Sequence, residues 1–150
     1  MSYIKIYVHF VWSTKNREPL LTEDIRHRVF EHIRENAERK NIYIDFIGGY
    51  TDHLHCLVSL NDTLSIGKIA QLLKGESSHW INRNKLTKTR FAWQDEYFAV
   101  GVGDDKLQIV RDYIANQERH HAKITFAQEH NQFVNRYGFE IIKNNLDTSR

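Results

Sequence analysis

Four short stretches of the chain combine β-branched and aromatic residues with turn residues at their ends, which predicts four β-strands. The first, Tyr3–Ser13, alternates strictly, with an apolar face made by Ile4, Ile6, Val8, Phe10 and Trp12. The second and third, Ile44–Ile47 and His53–Leu60, form a pair, because Gly48-Gly49 and a polar turn loosen the chain between them. The fourth lies near Tyr97–Val102.

Apolar residues at helical spacing predict three helices between and after these strands. The first runs over about Glu23–Lys40, follows the N-cap residue Thr22 and turns Ile25, Val29, Ile33 and Ala37 inward. The second runs over about Ser65–Asn84, with Ile66, Ile69, Ala70, Leu73, Trp80 and Ile81 as its apolar set. The third begins after a cap at Asp104 or Asp105 and carries the apolar stripe Leu107, Val110 and Ile114.

The resulting element order, βαββαβα, predicts an α+β protein of the ferredoxin-like (RRM-like) kind, with an antiparallel sheet. Two helices cover one face of the sheet, and a C-terminal helix follows the last strand. The length of 150 residues fits one domain with a sizeable apolar core. We place the domain over residues 1–150, with a core of about 3–130 and a C-terminal tail at 131–150.

The third predicted strand carries a histidine pair on the face that points away from its apolar side chains. Leu54, Cys56 and Val58 alternate with His53 and His55, so the two imidazoles share one face about 7 Å apart at the backbone. Neutral imidazoles at this spacing can converge on one divalent metal ion. An isolated pair of this kind is more often two ordinary sheet histidines than a metal site.

The third predicted helix places a phenol and an amide on one side. Tyr113 lies at the edge of the apolar stripe, and Gln117 follows one turn later on the same side. Taken singly, a helical tyrosine is more often a half-buried packing residue, and a helical glutamine is more often a solvated surface amide. Beside the histidine pair, the two would supply a nucleophile and an oxygen ligand.

Five motifs in a fixed order give the chain a resemblance to a known family. It resembles the single-tyrosine transposases of the HUH nuclease superfamily (histidine, bulky hydrophobic, histidine), most closely the minimal transposases of bacterial and archaeal insertion sequences. The resemblance covers about residues 3–130. The motifs are His9–Arg17, Asp52–His55, Lys74–Asn82, Phe91–Tyr97 and Tyr113–His121.

The resemblance implies a DNA transposase and a role for each matching residue. His53 and His55 match the metal-binding histidines, Gln117 the third protein ligand and Tyr113 the catalytic nucleophile. The cofactor implied is a divalent metal, Mg²⁺ or Mn²⁺. The reaction implied is cleavage and rejoining of single-stranded DNA through a 5′-phosphotyrosine intermediate, at hairpins that mark the ends of a mobile element.

The resemblance also implies a homodimer in which each tyrosine helix completes the partner's histidine site in trans. An exposed apolar edge on strand one would suit pairing across a two-fold axis. A monomer with the tyrosine helix folded back in cis is the alternative. Asp52 and Asp45 are candidate hydrogen-bond partners for the metal-binding histidines.

Charge and composition restrict these functions further. The net charge is only +2, so a nucleic-acid surface must be a local patch. The candidates for DNA binding are Lys15, Arg17, Lys74, Arg83, Arg90 and Trp80, with Lys85, Lys88, Trp93 and Tyr97 as further charges and stacking rings. A single cysteine, no secretory signal and no long apolar run lead us to expect a cytoplasmic protein without membrane spans.

Other classes of function remain open at this point. A domesticated nuclease of the same superfamily would keep the four site residues. A single-strand nucleic-acid binding protein without catalysis would have no need of His53, His55, Tyr113 and Gln117 together. A two-histidine esterase for small substrates requires a second His-x-Ser/Thr element, which the chain lacks. Replication and conjugation nickases share the histidine pair on chains that are usually larger.

Overall fold

The computed structural model describes residues 2–137, apart from the side chains of residues 133, 134, 136 and 137. A four-stranded antiparallel sheet in the order β2-β3-β1-β4 forms its centre, so the predicted mixed fold is confirmed. The strands are β1 (Tyr7–Ser13), β2 (Tyr43–Gly49), β3 (His53–Ser59) and β4 (Phe98–Val102). The helices are α1 (Glu23–Arg39), α2 (Ile66–Arg83), α3 (Leu107–Ala115), α4 (Gln117–His121) and α5 (Phe126–Tyr137), with short 3-10 turns at Lys15–Arg17 and Asp104–Lys106.

Helices α1 and α2 cover one face of the sheet and enclose the main core. The alternation of β1 and β3 sends Phe10, Trp12, Leu54 and Cys56 to this face, where they are fully buried. The inward helix residues Val29, Ile33, Leu73 and Ile81 meet them. Burying each such side chain contributes about 1.5–3 kcal/mol to folding, so this face holds most of the hydrophobic stabilisation.

The predicted boundaries of the first two helices agree with the structure to within a residue. Helix α2 begins after Ser65, whose Oγ accepts a hydrogen bond from the Lys68 backbone N–H at 3.0 Å. Thr22 occupies the N-cap position of α1, but its hydroxyl donates to the Asp24 carboxylate instead of capping the backbone. Ile66, a member of the predicted apolar set, is the first residue of α2 and is 39 % exposed.

Strand β1 differs from its prediction in length and position. It begins at Tyr7, and the preceding Tyr3, Ile4 and Ile6 are exposed. It pairs with β3 on one side and β4 on the other, so the predicted exposed edge on strand one is wrong. The order of this fold puts the first strand in the centre and leaves β2 and β4 at the edges.

Helix α3 packs against the second face of the sheet. Leu107 and Ile114 are buried against Leu57 of β3, which confirms the predicted stripe. Gly48 lies within β2 instead of loosening the chain; a Cβ there would come within 2.6 Å of the Ile114 carbonyl oxygen. The absence of a side chain therefore lets α3 approach the sheet closely.

The chain after α3 contains two helices that the sequence analysis did not separate or foresee. The predicted third helix breaks at Asn116, and the short α4 follows. Helix α5 runs across residue 130, the predicted end of the core, while the rest of the predicted tail, residues 138–150, lies outside the described residues. Within residues 2–137, no helix has the length and apolar character that a membrane span requires.

Candidate metal centre and tyrosine site

Strand β3 presents His53 and His55 together on the face covered by α3, α4 and α5. Both side chains are 0 % exposed, and their ring centroids lie 5.1 Å apart. The ring of Phe126 stacks on His53 at 4.3 Å. The pair therefore lies in a closed interior between the sheet and the C-terminal helices.

Each histidine is held by a hydrogen bond to its Nδ1 atom. His53 Nδ1 lies 2.8 Å from Asp52 Oδ1, and because a carboxylate can only accept, Nδ1 carries the proton. His55 Nδ1 lies 2.9 Å from Nε2 of His9 on the neighbouring strand. In both rings the Nε2 atom points toward α4 and α5. A metal-binding imidazole is typically arranged in this way, with one ring nitrogen held by a hydrogen bond and the other directed at the ion.

Burial favours the uncharged form of the inner histidines. Burial lowers the pKa of His55 to about 4, although the Glu129 carboxylate opposes the shift. Burial and the neighbouring His55 lower the pKa of His9 to about 3. Both rings are neutral at pH 7, and neutral imidazole is the form that binds a metal ion.

Gln117 brings an amide oxygen to the same place. It is the first residue of α4 and is 1 % exposed. Its Oε1 lies 2.9 Å from His53 Nε2, while its Nε2 donates to the Tyr113 carbonyl oxygen at 3.4 Å. The break at Asn116 thus leaves Gln117 directed at the histidine pair.

Tyr113 lies beside the histidines of its own chain. Its ring centroid is 5.4 Å from that of His55 and 6.3 Å from that of His9. Its hydroxyl donates a hydrogen bond to a carboxylate oxygen of Glu129. The structure therefore brings together His53, His55, Tyr113 and Gln117 within one chain, the arrangement that the sequence analysis kept as the cis alternative.

Two further residues of the site were missed by the sequence analysis. Glu129 of α5 is 1 % exposed, and its Oε1 lies 2.9 Å from His55 Nε2. His9 supports His55 as described above. The signal for His9 was available, because Phe10 faces the core and its neighbours on β1 must face the site. The signal for α5 was a capping box, in which Thr125 Oγ1 accepts from the Gln128 N–H and Gln128 Oε1 accepts from the Thr125 N–H.

The donor set fits a divalent cation. Nitrogen and oxygen atoms of His53, His55 and Glu129 all lie within 4.8 Å of one another, and Gln117 adds an amide oxygen. Neighbouring ligands of an octahedral Mg²⁺ or Mn²⁺ ion are about 3 Å apart, given bonds of about 2.1 Å. The 2.9 Å separations between His53 Nε2 and Gln117 Oε1 and between His55 Nε2 and Glu129 Oε1 match this spacing.

The two aspartates predicted to hydrogen-bond the metal-binding histidines, Asp52 and Asp45, have different partners in the structure. Asp52 contacts His53, as predicted. Asp45 instead pairs with Arg111 at 2.6 Å between Oδ2 and Nε, which ties α3 to β2. The prediction for Asp45 is wrong because its carboxylate bonds Arg111 of α3 and is not a hydrogen-bond partner of either histidine.

The predicted DNA-binding cations lie in different surroundings. Lys15, Arg17, Arg83 and Arg90 are exposed. Lys15 N–H donates to the Ala92 carbonyl oxygen at 2.9 Å, so the turn with Lys15 and Arg17 lies beside the segment that follows Arg90. Lys74 is half-buried, and its ammonium group donates to the Asp95 carbonyl oxygen at 2.9 Å.

The aromatic candidates for base stacking are mostly engaged within the fold. Trp80 is half-buried and stacks on His32 with ring centroids 3.9 Å apart, so one of its faces is covered. Trp93 is 7 % exposed and donates to Ser77 Oγ at 2.8 Å, so its prediction as a stacking ring is wrong. Tyr97 is 37 % exposed.

Two solved structures have a fold similar to that of this chain. A transposase-like protein from Deinococcus radiodurans R1, described as a candidate transposase, is 21 % identical over 77 % of this chain and 93 % of its own, with a TM-score of 0.63. A REP-associated tyrosine transposase, solved bound to a REP hairpin, is 17 % identical over 83 % of this chain and 73 % of its own, with a TM-score of 0.62. At these identities the likeness concerns the fold. No curated protein matches the sequence.

The protein family is established by the sequence itself. The profile of the family described as "Transposase IS200 like" matches residues 2–117, more than three quarters of the chain, so the chain belongs to the family of IS200-like transposases. The predicted family is confirmed. The matched residues include His53, His55, Tyr113 and Gln117, whereas Glu129 lies beyond them.

Proposed function

We propose that this transposase cleaves and rejoins single-stranded DNA, with Tyr113 as the nucleophile and a divalent ion held by His53, His55 and Gln117. The observation that carries the proposal is the convergence of the two Nε2 atoms and the Gln117 amide oxygen beside the Tyr113 ring. A protein that only bound DNA would have no use for these four groups in one buried place.

The chemistry follows from the properties of the groups. The Tyr113 oxygen attacks a phosphodiester phosphorus and forms a new phosphorus–oxygen bond as the bond to the 3′ oxygen breaks. The phenol gives up its proton, and the leaving 3′ oxygen takes one up. The product is a 5′-phosphotyrosine and a free 3′-hydroxyl, so the phosphodiester energy is kept for rejoining and no external energy source is required.

The ion would supply charge stabilisation, because a bound Mg²⁺ or Mn²⁺ polarises the phosphoryl oxygens and offsets the charge that develops on them. The two histidines would hold it as neutral ligands. Asp52 and His9 fix the two rings through their Nδ1 atoms. The hydrogen bond from Gln117 Nε2 to the Tyr113 carbonyl keeps the amide oxygen turned toward His53.

The proposed DNA surface lies next to the site. Arg17 lines a cavity of about 310 Å³ that shares Phe126 with the metal centre, since that ring also stacks on His53. Exposed Lys15 and Arg90 extend the positive charge along the same side. We propose single-stranded DNA with a hairpin as the substrate, which is supported by the fold shared with a transposase solved with a REP hairpin.

The proposed arrangement of the nucleophile is in cis, supported by the 5.4 Å between the rings of Tyr113 and His55 in one chain. Mixing Tyr113→Phe with His55→Ala tests it. In a trans homodimer each variant supplies what the other lacks, and mixing restores cleavage. In the cis arrangement no mixed species holds an intact site, and the mixture stays inactive.

The proposed function is tested by covalent capture. The protein is incubated with Mn²⁺ and end-labelled single-stranded oligonucleotides from the DNA that flanks its gene, including their hairpins, and the products are separated on a denaturing gel. We expect label retained on the protein, lost in Tyr113→Phe and in His53→Ala. Hairpin binding without an adduct in the wild-type protein would contradict the proposal and favour a non-catalytic binding protein.

A further inference from the structure

Glu129 lies at the centre of the buried site, although it belongs to none of the five motifs that carry the family resemblance. It belongs to α5, and its side chain is 1 % exposed between the histidine pair and the tyrosine. A carboxylate is costly to bury unless positive charge or several hydrogen bonds surround it. The position of Glu129 therefore needs a reason beyond packing.

The first oxygen of Glu129 faces the proposed metal ligands. Oε1 lies 2.9 Å from His55 Nε2 and 3.6 Å from His53 Nε2. His53 donates a hydrogen bond from Nδ1–H to Asp52, so in the neutral ring Nε2 carries a lone pair that faces Gln117 Oε1 and Glu129 Oε1. Electron pairs that converge on one point in this way are accommodated by a cation between them.

The second oxygen is held from the other side. Oε2 lies 3.2 Å from His121 Nε2 and 3.1 Å from His120 Nε2, and it accepts the hydrogen bond from Tyr113. His121 Nδ1 in turn donates to the Ile124 carbonyl oxygen at 2.8 Å. These contacts orient the carboxylate so that Oε1 stays turned toward the histidine pair.

The two oxygens of Glu129 have different surroundings. Oε2 accepts the hydrogen bond from Tyr113, whereas Oε1 faces the Nε2 atoms of His53 and His55. An anionic carboxylate oxygen is the ligand type that Mg²⁺ and Mn²⁺ prefer over imidazole alone. Glu129 thus offers a hard oxygen from a segment beyond residues 2–117, which the family profile matches.

We propose that Glu129 is a fourth protein ligand of the divalent ion, added to His53, His55 and Gln117. This inference rests on the proposed metal site and extends it. The ion then links three elements: β3 through the histidines, α4 through Gln117 and α5 through Glu129. An octahedral ion with four protein ligands keeps two positions for a phosphate oxygen and water.

Direct binding of Mn²⁺ tests the proposal without recourse to cleavage. The full chain is titrated with Mn²⁺, and the free ion is followed by electron paramagnetic resonance. Glu129→Gln keeps the shape of the side chain but removes its charge, and we expect the Kd for Mn²⁺ to rise at least about 10-fold. Asp112→Asn is the matched control, because it removes an exposed carboxylate next to Tyr113 that bonds only Gln108 among the described contacts; its Kd should stay unchanged.

A comparison of Mn²⁺ with Zn²⁺ distinguishes a metal ligand from a residue that only supports the fold. Zn²⁺ relies on imidazole more than Mn²⁺ does, so loss of a carboxylate ligand should weaken Mn²⁺ binding more than Zn²⁺ binding. Equal weakening of both would overturn the ligand assignment, as would an unchanged Mn²⁺ Kd in Glu129→Gln. Thermal melting in a chelator confirms that each variant is folded before titration.

Two histidine variants distinguish failure of the inference from failure of the proposed site. If His53→Ala abolishes Mn²⁺ binding and Glu129→Gln leaves it intact, the proposed metal site stands and the Glu129 assignment falls. If His53→Ala leaves binding intact, the metal site itself falls. Binding lost in His121→Ala but kept in His53→Ala would move the ion to the other side of Glu129 and overturn both.

Discussion

The two faces of the sheet are built from the same strands but perform different work. Toward α1 and α2, β3 sends Leu54 and Cys56 into an apolar core. Toward α3, α4 and α5 it sends His53 and His55 into a buried polar centre. Neighbouring residues of β3 should therefore differ in the effect of their substitution. Substitutions on the core face should lower the free energy of unfolding, and substitutions on the histidine face should weaken metal binding and cleavage.

The face of the sheet that carries His53 and His55, here called the polar face, is covered by helices but does not contain a second large apolar core. Its apolar part is small, with Leu57, Leu107 and Ile114 as the buried members of one cluster and Phe126 buried against His53. Many of the other contacts are hydrogen bonds among buried polar groups, which contribute to stability only while every partner is present. A divalent ion that joins β3, α4 and α5 would supply cohesion that the apolar contacts of this face do not.

The largest effect is expected from Tyr113→Phe. The substitution removes one oxygen, so cleavage and adduct formation should fall by about 10³-fold or more. The free energy of unfolding should fall by about 1.5–3 kcal/mol, the usual contribution of a hydrogen bond to a charged group, here the Glu129 carboxylate. A rate assay on labelled single-stranded DNA, with denaturant melts of both proteins, measures the two quantities; cleavage that survives the substitution would remove Tyr113 as nucleophile.

The second-largest effect is expected from His55→Ala, which removes a proposed metal ligand on the polar face. Loss of an imidazole ligand should raise the Kd for Mn²⁺ by about 100-fold or more and stop cleavage, since a supporting residue alone is worth 10- to 100-fold. Calorimetric titration with Mn²⁺ measures the Kd. His79→Ala is a control, because this histidine is exposed on α2; if the two variants bound Mn²⁺ equally well, His55 would not be a ligand.

Leu54→Ala should destabilise the protein through the opposite face of the sheet, which packs against α1 and α2. Truncation of this fully buried side chain should lower the free energy of unfolding by about 2–5 kcal/mol, because it leaves a cavity in the main core. The Mn²⁺ Kd of the molecules that remain folded at low temperature should stay close to that of the wild type. A Kd that rose as far as in His55→Ala would show that the two faces are not independent.

These expectations show where local sequence patterns suffice. Period-two alternation assigned Leu54 and His55 to opposite faces, and helical spacing identified Ile114 as a core residue. The spacing of His53 and His55 put their side chains on one face of a strand, whereas their grouping with Tyr113 and Gln117 was implied by the family resemblance. Each relation within a single strand or helix spans a few residues and depends on the fixed geometry of that element.

The remaining features depend on contacts between distant segments. The contact of Glu129 with His55 joins residues 74 positions apart, and no periodicity fixes such a pairing. The capping box at Thr125 could have indicated that α5 begins there, but not that α5 would cover the histidines. Likewise, the central position of β1 follows from the pairing of whole strands, which the alternation within β1 does not specify.

Smaller effects are expected from Asp52. Asp52→Asn keeps the shape but removes the carboxylate that holds His53, so Mn²⁺ affinity should fall by about 10- to 100-fold. Asp45→Asn is the matched control, because it removes a carboxylate that pairs with Arg111 on the same side of the sheet. If the two variants lowered Mn²⁺ affinity equally, the effect would come from general loosening of α3 and not from the histidine.

The smallest effects are expected at the proposed DNA surface. If Lys15 and Arg90 each contact one phosphate, Lys15→Ala and Arg90→Ala should each reduce the slope of log Kd against log salt by about 1. Arg39→Ala is the control, since α1 ends with it at the opposite end of the sheet. Fluorescence anisotropy with a labelled hairpin measures the slopes; identical slopes in all three variants would remove this surface from DNA binding.

The most direct test of the central claim is to locate the nucleotide on the protein. The adduct formed with Mn²⁺ is digested with nuclease and trypsin and analysed by mass spectrometry. Cleavage after Arg111 and Arg119 gives the peptide Asp112–Arg119, in which Tyr113 is the only tyrosine. We predict a nucleotide phosphate on Tyr113, absent in His55→Ala; a nucleotide attached to any other residue, or an adduct that forms equally without the histidine, would contradict the proposed mechanism.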